Sequence, residues 1–436
     1  MDSIRSDAAL AGLFRDLHPE VRKRFPQLDR DSAGRPRTYL NSGAGSLTVD
    51  TAIAALSAAA RDLNPMPGAV SPGEVATARF QERVRELAAD FLNAAGPAEV
   101  SFHFSATAAL FDLAFGLRDL AGRGANAIVT DLDHMANISP WETVWGGLFG
   151  CEIRRARVTE DGRLDLDHLV SLVDAKTSLI ATTLASNAFG TLVPLRELTS
   201  AVKRKNAAAL VCVDAVHHAL HGPIDVRQSG CDALVFSGYK VFGPMLGVLW
   251  VREDLGERAV PYRVETNKPR PPWKFEMGML NNANLAALEA ALEYILWLEG
   301  RLSSQPATAK TRPARFRSAM EAIASYEATL SSRVLEGFRG LDPTRFRVYG
   351  PRDPERTAER DPTFAFELEG LSAAQTKEKF WQRHALQVAD GNHYSAAVVR
   401  HLRKEALNRA SFAHYDNEET VRRFLAALDD LIRNPD

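Results

Sequence analysis

VDAVHHALHGPIDVRQSGCDALVFSGYKVFGPMLG, residues 213–247, is the stretch on which the reading of this chain turns. It follows an apolar run, Ala207 to Val213, that reads as a buried strand ending on a carboxylate, Asp214. A second short strand, Ala233-Leu234-Val235-Phe236, ends in Ser237, Gly238, Tyr239 and Lys240. Taken singly, both ends are ordinary: an Asp there forms a turn or caps a helix, and a Lys there is a solvated loop residue. Together they set an acid and an amine at neighbouring strand ends. Pyridoxal phosphate chemistry uses that pair. The lysine forms the Schiff base, and the acid keeps the pyridinium nitrogen protonated so that the ring draws electrons.

The pattern continues upstream. Ser178 to Thr183 is a strand that closes into Asn187-Ala188-Phe189-Gly190. Ala127 to Thr130 leads into Asp131-Leu132-Asp133-His134-Met135-Ala136-Asn137. Val100 to Phe104 ends in Ser105-Ala106-Thr107 and then an apolar helical pattern. Five strand ends in a row carry polar groups, the distribution that a ligand at the carboxyl edge of a mostly parallel sheet produces. Strands and helices alternate from Val100 to Val251, which predicts an α/β fold with a doubly wound sheet and right-handed crossovers.

A chain of 436 residues exceeds one compact core, so two domains are expected. Residues 1–38 read as a helix, Ala8 to Phe25, and a polar loop. Residues 39–302 read as the large domain. Residues 303–436 read as a smaller C-terminal α+β domain, entered through the polar stretch Ser303 to Pro313 and holding one strand at Thr363 to Leu368. A long amphipathic helix is expected over Asn284 to Leu298. A formal net charge of −2 gives no reason to expect nucleic acid or an anionic membrane as partner. The Gly pattern after Tyr39 lacks a GxGxxG spacing, so no dinucleotide site is indicated. Cys151, Cys212 and Cys231 lack metal or disulfide spacing and fit a reducing compartment. The first seven residues carry mixed charge, unlike a signal peptide, and no apolar stretch approaches the roughly 20 residues of a membrane span. These features predict a soluble, cytoplasmic protein.

The tract 213–247, with the Asn187–Gly190 turn, the His134–Asn137 turn and Asn408-Arg409-Ala410-Ser411, resembles the class V aminotransferase group of fold-type I pyridoxal-phosphate enzymes. That group includes cysteine desulfurases and isopenicillin-epimerase-like proteins. The resemblance runs from about Tyr39 to the last helix. It implies pyridoxal 5'-phosphate as cofactor, Lys240 as the Schiff-base lysine and general base, Asp214 against the pyridinium nitrogen, and His134 stacked on the ring face. It implies Asn187 and His217 near the phenolic oxygen. The phosphate would lie against Ala106 and Thr107 at a helix start, where free N–H groups and the helix dipole favour an anion, with Ser237 adding a hydroxyl. Arg409 would grip the substrate α-carboxylate through its planar fork, with Asn41 and His393 as further substrate contacts. His217, His218 and His221 also look like a metal triplet, but a neutral imidazole beside the ring oxygen explains His217 without a metal, and no metal site is expected.

Two departures from the group bear on function. Desulfurases carry a mobile cysteine on a small-domain loop, whereas the matching Ala389-Asp390-Gly391-Asn392-His393-Tyr394-Ser395 has none, and no Cys follows Cys231. Relatives place a Thr where Met279 stands, to reach the partner subunit's phosphate; whether Asn281 or Asn282 substitutes is open. The expectation is therefore a carbon–sulfur lyase that β-eliminates a cysteine-type substrate or cysteine S-conjugate. The alternatives are an aminotransferase or epimerase acting on another amino acid and, after these, a cysteine desulfurase. A homodimer is implied, with Trp273 to Asn282 reaching across. Phe111, Trp141, Trp145, His393 and Tyr394 are candidates for shaping a pocket larger than cysteine needs.

Overall fold

Buried strands read as continuous apolar runs because both faces of a parallel sheet are covered by helices. In the computed structural model, which describes residues 7–63, 66–122, 124–303 and 310–435, seven such strands form the central sheet. They are Val100–His103 (β1), Asn126–Thr130 (β2), Glu152–Ala156 (β3), Thr177–Thr183 (β4), Leu210–Asp214 (β5), Ala233–Ser237 (β6) and Gly247–Val251 (β7). Their order is β1-β7-β6-β5-β4-β2-β3. Six run parallel, and β7 runs against both of its neighbours. That reversal follows from the connection: only the short turn after Lys240 separates β6 from β7, too little chain for a parallel crossover.

The period-2 alternation of strand side chains divides the core into two layers. Leu179, Ala181, Cys212, Val235 and Leu249 pack on one face with the helix Ala106–Gly116 and with Trp141 and Trp145. Ile180, Val211, Val213, Leu234 and Val248 pack on the other, against the helix Asn282–Leu302. The outer strand β3 carries Glu152, Arg154 and Arg155, so the open edge is charged. Arg154 pairs with Glu152 and Asp174, and Arg155 with Asp131.

A second, antiparallel sheet comprises Phe346–Tyr349 (β8), Thr363–Leu368 (β9), Ala389–Gly391 (β10) and Leu407–Ser411 (β11), in the order β10-β11-β9-β8. Arg409 lies in its middle strand, paired with Ala365 and Ala389. Phe338, Phe364, Phe380, Phe412 and Phe424 fill the space under it. Residues 7–40 are tied to this part of the chain. The helix Asp7–Lys23 rests on the helix Arg312–Arg339, with Phe14 stacked 4.6 Å from Tyr326. Thr38–Tyr39 pairs in parallel with Leu386–Gln387. Within the polar stretch 303–313, residues 304–309 lie outside the described residues.

Candidate active site

The carboxyl ends of β2, β4, β5 and β6 open into a cavity of about 1150 Å³. Register brings the ends together: Thr183 pairs with Asp214, Asp214 with Val235, and Ser237 with Gly247. Lys240, Asp214, His134, His217, Asn187, Ser237, Ala106, Thr107, His393 and Arg409 all line this one space. Of the expected site residues, Asn41 alone does not. Its backbone is held in a bridge to Ser411, and the next turn delivers Gly43 and Ala44 to the cavity wall instead. A Cβ on Gly43 would sit 2.4 Å from Ser411 Oγ and 3.0 Å from Arg409 Cζ, so a larger residue there would have to displace those side chains.

Lys240 is 5% exposed, and its Nζ donates to the Gly43 carbonyl. Burial, with the Arg409 charge adding to it, lowers its pKa to about 7, although Asp214 pulls the other way. An amine so placed is half neutral near pH 7, the form that attacks carbonyls and accepts protons. Burial raises Asp214 to about 6, restrained by the Val216 N–H donated to Oδ1 at 2.9 Å and by the Lys240 charge. His134 is kept neutral, with its pKa lowered to about 4 by burial and by the Lys240 and Arg409 charges. Its Nδ1 accepts from the Ala136 N–H at 3.0 Å, and its ring is stacked 5.5 Å from Tyr394.

The helix Ala106–Gly116 points its N-terminus into the cavity, with Ser105 as its cap, accepting from the Ala108 N–H at 3.1 Å. Small side chains let an anion approach its backbone. Gly247 of β7 backs this helix start so closely that a Cβ would lie 2.4 Å from the Ser105 carbonyl carbon. Arg409 is buried, donates Nη1 to the Asn187 carbonyl at 2.7 Å and leaves Nε without a partner. Asn187 is engaged differently from expectation. Its Nδ2 donates to the His393 carbonyl at 2.7 Å and its Oδ1 accepts from Ser395 Oγ at 2.6 Å, so the amide clasps the 391–395 loop. His393 and Tyr394 sit there with φ of 53° and 56°, and the Tyr394 carbonyl accepts from the Met135 N–H at 2.7 Å.

The aromatic candidates divide. Phe111, His393 and Tyr394 line the cavity, whereas Trp141 and Trp145 are fully buried in the core, edge to face at 5.4 Å. Near Met279, Asn281 Oδ1 caps its helix by accepting from the Asn284 N–H, and Asn282 Oδ1 accepts from Gln81. Ser139 and Glu405 also line the wall without having been signalled; the small-residue run Ser42-Gly43-Ala44-Gly45 was the one available sign of the Gly43 contact.

The residues fit pyridoxal phosphate. A buried amine and a buried carboxylate face one space, a helix start supplies anion donors, and His217 and Arg409 present buried nitrogens with no protein partner. The family model described as aminotransferase class-V matches residues 38–315 and 314–424. A cysteine desulfurase of Klebsiella pneumoniae is 32% identical over 430 residues, 94% of this chain and 96% of that protein. Another, from Pectobacterium atrosepticum, is 32% identical over 432 residues, 95% and 97% of the two chains. The solved apo cysteine desulfurase from Thermococcus onnurineus aligns with a TM-score of 0.82 at 24% identity, over 95% of this chain and 98% of that one. That from Escherichia coli gives 0.79 at 23% identity, over 95% and 98%. At these identities the solved structures share the fold.

Proposed function

We propose, because the chain belongs to the aminotransferase class-V family and is a pyridoxal-phosphate-dependent enzyme acting on an amino acid, that it is a carbon–sulfur lyase. Its substrate would be a cysteine-type amino acid or cysteine S-conjugate, cleaved by β-elimination. One observation carries the choice: the loop that closes the cavity, residues 389–395, bears no thiol, and Cys151, Cys212 and Cys231 are all buried away from it. A persulfide cannot form without a thiolate in reach of the substrate sulfur.

The cofactor, when bound, supplies an electron sink for the pair left at the substrate α-carbon. The chain's own groups do the rest. Lys240 holds the cofactor and then takes the α-proton on Nζ. Asp214 would keep a proton on the ring nitrogen. The start of the helix Ala106–Gly116, with Thr107 and Ser237, would hold the phosphate, and His134 would cover one ring face. Arg409 orients the α-carboxylate. As the α-proton reaches Nζ, the carbon–sulfur bond breaks, the sulfur leaves with its electron pair, and hydrolysis of what remains yields pyruvate and ammonia. Phe111 and Tyr394 on the cavity wall support a large group on sulfur.

A homodimer is part of the same proposal. Phe104, Met245 and Met279, exposed by 72%, 69% and 50%, form an apolar patch beside the phosphate end of the cavity, which supports a partner there. The test is to incubate the holoenzyme with cysteine, cystine and an aryl cysteine S-conjugate and identify the carbon product by mass spectrometry. Pyruvate with ammonia is expected, with Lys240→Ala inactive and folded. An unchanged carbon skeleton bearing a keto group, or an inverted α-carbon, would replace elimination by transamination or epimerisation. Alanine with protein-bound sulfur would restore a desulfurase.

A further inference from the structure

A buried polar cluster beside the cavity plays no part in the mechanism above. The turn after Asp214 carries His217, His218 and His221, all buried. His218 Nδ1 lies 3.1 Å from Asp361 Oδ1. His221 Nδ1 lies 2.8 Å from Oε2 of Glu327, which is 2% exposed and reaches in from the middle of the helix Arg312–Arg339. His217 lines the cavity, yet neither of its ring nitrogens has a protein partner. Its ring centroid is 5.2 Å from that of His221, whose Nε2 is also unpartnered. Ligating atoms of His217, His221 and Asp361 lie within 4.8 Å of one another, a gap that one bridging water spans.

Proton counting gives this cluster a direction. A carboxyl and an imidazole that together carry no net charge present an N–H at the far ring nitrogen, whether the hydrogen between them sits on the carboxyl or on the ring. Glu327 and His221, 2.8 Å apart and each 2% exposed, are such a pair, because burial there disfavours a net charge. Burial raises Glu327 to about 7, and although burial alone would lower His221, the Glu327 and Asp361 carboxylates raise it. His217 is held neutral by burial and by the charges of His221, Lys240 and Arg409 that face it. Asp416 on the Glu327 side and His414 on the His221 side are the other titratable groups nearby. Reached by the His221 N–H through one bridging water, a neutral His217 accepts with one nitrogen and keeps its hydrogen on the other.

We propose that Glu327 and His221 are positioning residues that hold His217 as the tautomer donating an N–H into the cavity, toward the ring oxygen of bound pyridoxal phosphate. The proposal rests on the placement of the cofactor at Lys240. Through it, a carboxylate on the C-terminal helix sets the donor strength at the cofactor.

The test titrates the visible absorption of the bound cofactor against pH in the wild type, Glu327→Gln and His221→Asn. Glu327→Gln keeps the shape but cannot share a proton. His221→Asn keeps a donor for Glu327 but removes the Nε2 edge, so a merely structural role would leave its titration unmoved. Both variants are expected to raise the midpoint by about one pH unit, a tenfold change, because the deprotonated ring oxygen loses a donated hydrogen bond. ¹⁵N spectra of the imidazoles in the cofactor-free wild type should show one neutral His217 tautomer. Unmoved midpoints in a folded variant, or an even mixture of His217 tautomers in the wild type, would overturn the proposal. A wild type that gives no visible band with pyridoxal phosphate would overturn the placement at Lys240, and this proposal with it.

Discussion

Replacing Lys240 by Met should make the cofactor-free protein more stable, by an amount that depends on pH. The buried amine has its pKa lowered from the ordinary 10.5 to about 7. At about 1.4 kcal/mol per pH unit this corresponds to about 5 kcal/mol of disfavoured charge. Between pH 7 and 10.5 the unfolded chain binds the lysine proton and the native state does not, so the Lys240 contribution to stability rises with pH across that window. Below pH 7 both states are protonated and the penalty is complete. Met removes the penalty but also removes the donor to the Gly43 carbonyl, at a cost of about 1–2 kcal/mol. The expected gain is therefore about 3 kcal/mol at pH 7, shrinking to nothing or a small loss near pH 10.5. Urea unfolding of both cofactor-free proteins at half-unit steps from pH 7 to 10.5 measures it, since other alkaline titrations cancel in the difference. A stability difference that is equal at pH 7 and pH 10 would show that Lys240 is not a desolvated amine.

Three further substitutions address the site. Arg409→Lys should lower kcat/KM by about 10- to 100-fold, the loss of one charge-assisted hydrogen bond, because an ammonium lacks the fork that binds a carboxylate in two places; steady-state kinetics reads it. Tyr394→Ala should raise KM for an aryl S-conjugate about three- to tenfold, from lost aromatic contact, while leaving KM for cysteine nearly unchanged. Gly247→Ala would drive a Cβ into the Ser105 backbone at 2.4 Å and displace the helix start, so cofactor affinity measured by equilibrium dialysis should fall at least about tenfold, the equivalent of about 1.4 kcal/mol.

The parts of this site that were readable in advance are those fixed by one strand and its end. β4, β5 and β6 announce themselves as apolar runs, and a parallel sheet aligns their termini, so Asp214, Ser237, Lys240 and the His134 turn fall into one space. Side-chain direction is another matter, because it depends on neighbours distant in sequence. Asn187 spends its amide on a loop 206 residues away, Asn41 sits one turn short of the wall, and Trp141 and Trp145 fill the core. The reversed strand β7 was implicit in its short connection, but alternation alone disguised it as one more parallel unit. Glu327 had no local signal at all: a glutamate in a long helix reads as solvated until the fold places it on His221.

The early segment of the chain has a consequence for how the molecule is made. The helix Asp7–Lys23 and the strand Thr38–Tyr39 find their described partners in helices beginning at Asn282 and in Leu386–Gln387, and Arg22 donates to the carbonyl of Tyr415. These pairings join residues separated by nearly the whole length of the polypeptide. During synthesis the helix Asp7–Lys23 and the strand Thr38–Tyr39 therefore emerge long before the helices and the strand they pair with, while the sheet β1 to β7 can form behind them. Gly43 and Ala44, which wall the cavity, hang on that same segment. Until synthesis has passed Ser411, which bridges Asn41, the segment that carries Gly43 and Ala44 lacks the strand that holds it, and that wall of the cavity has nothing to rest on.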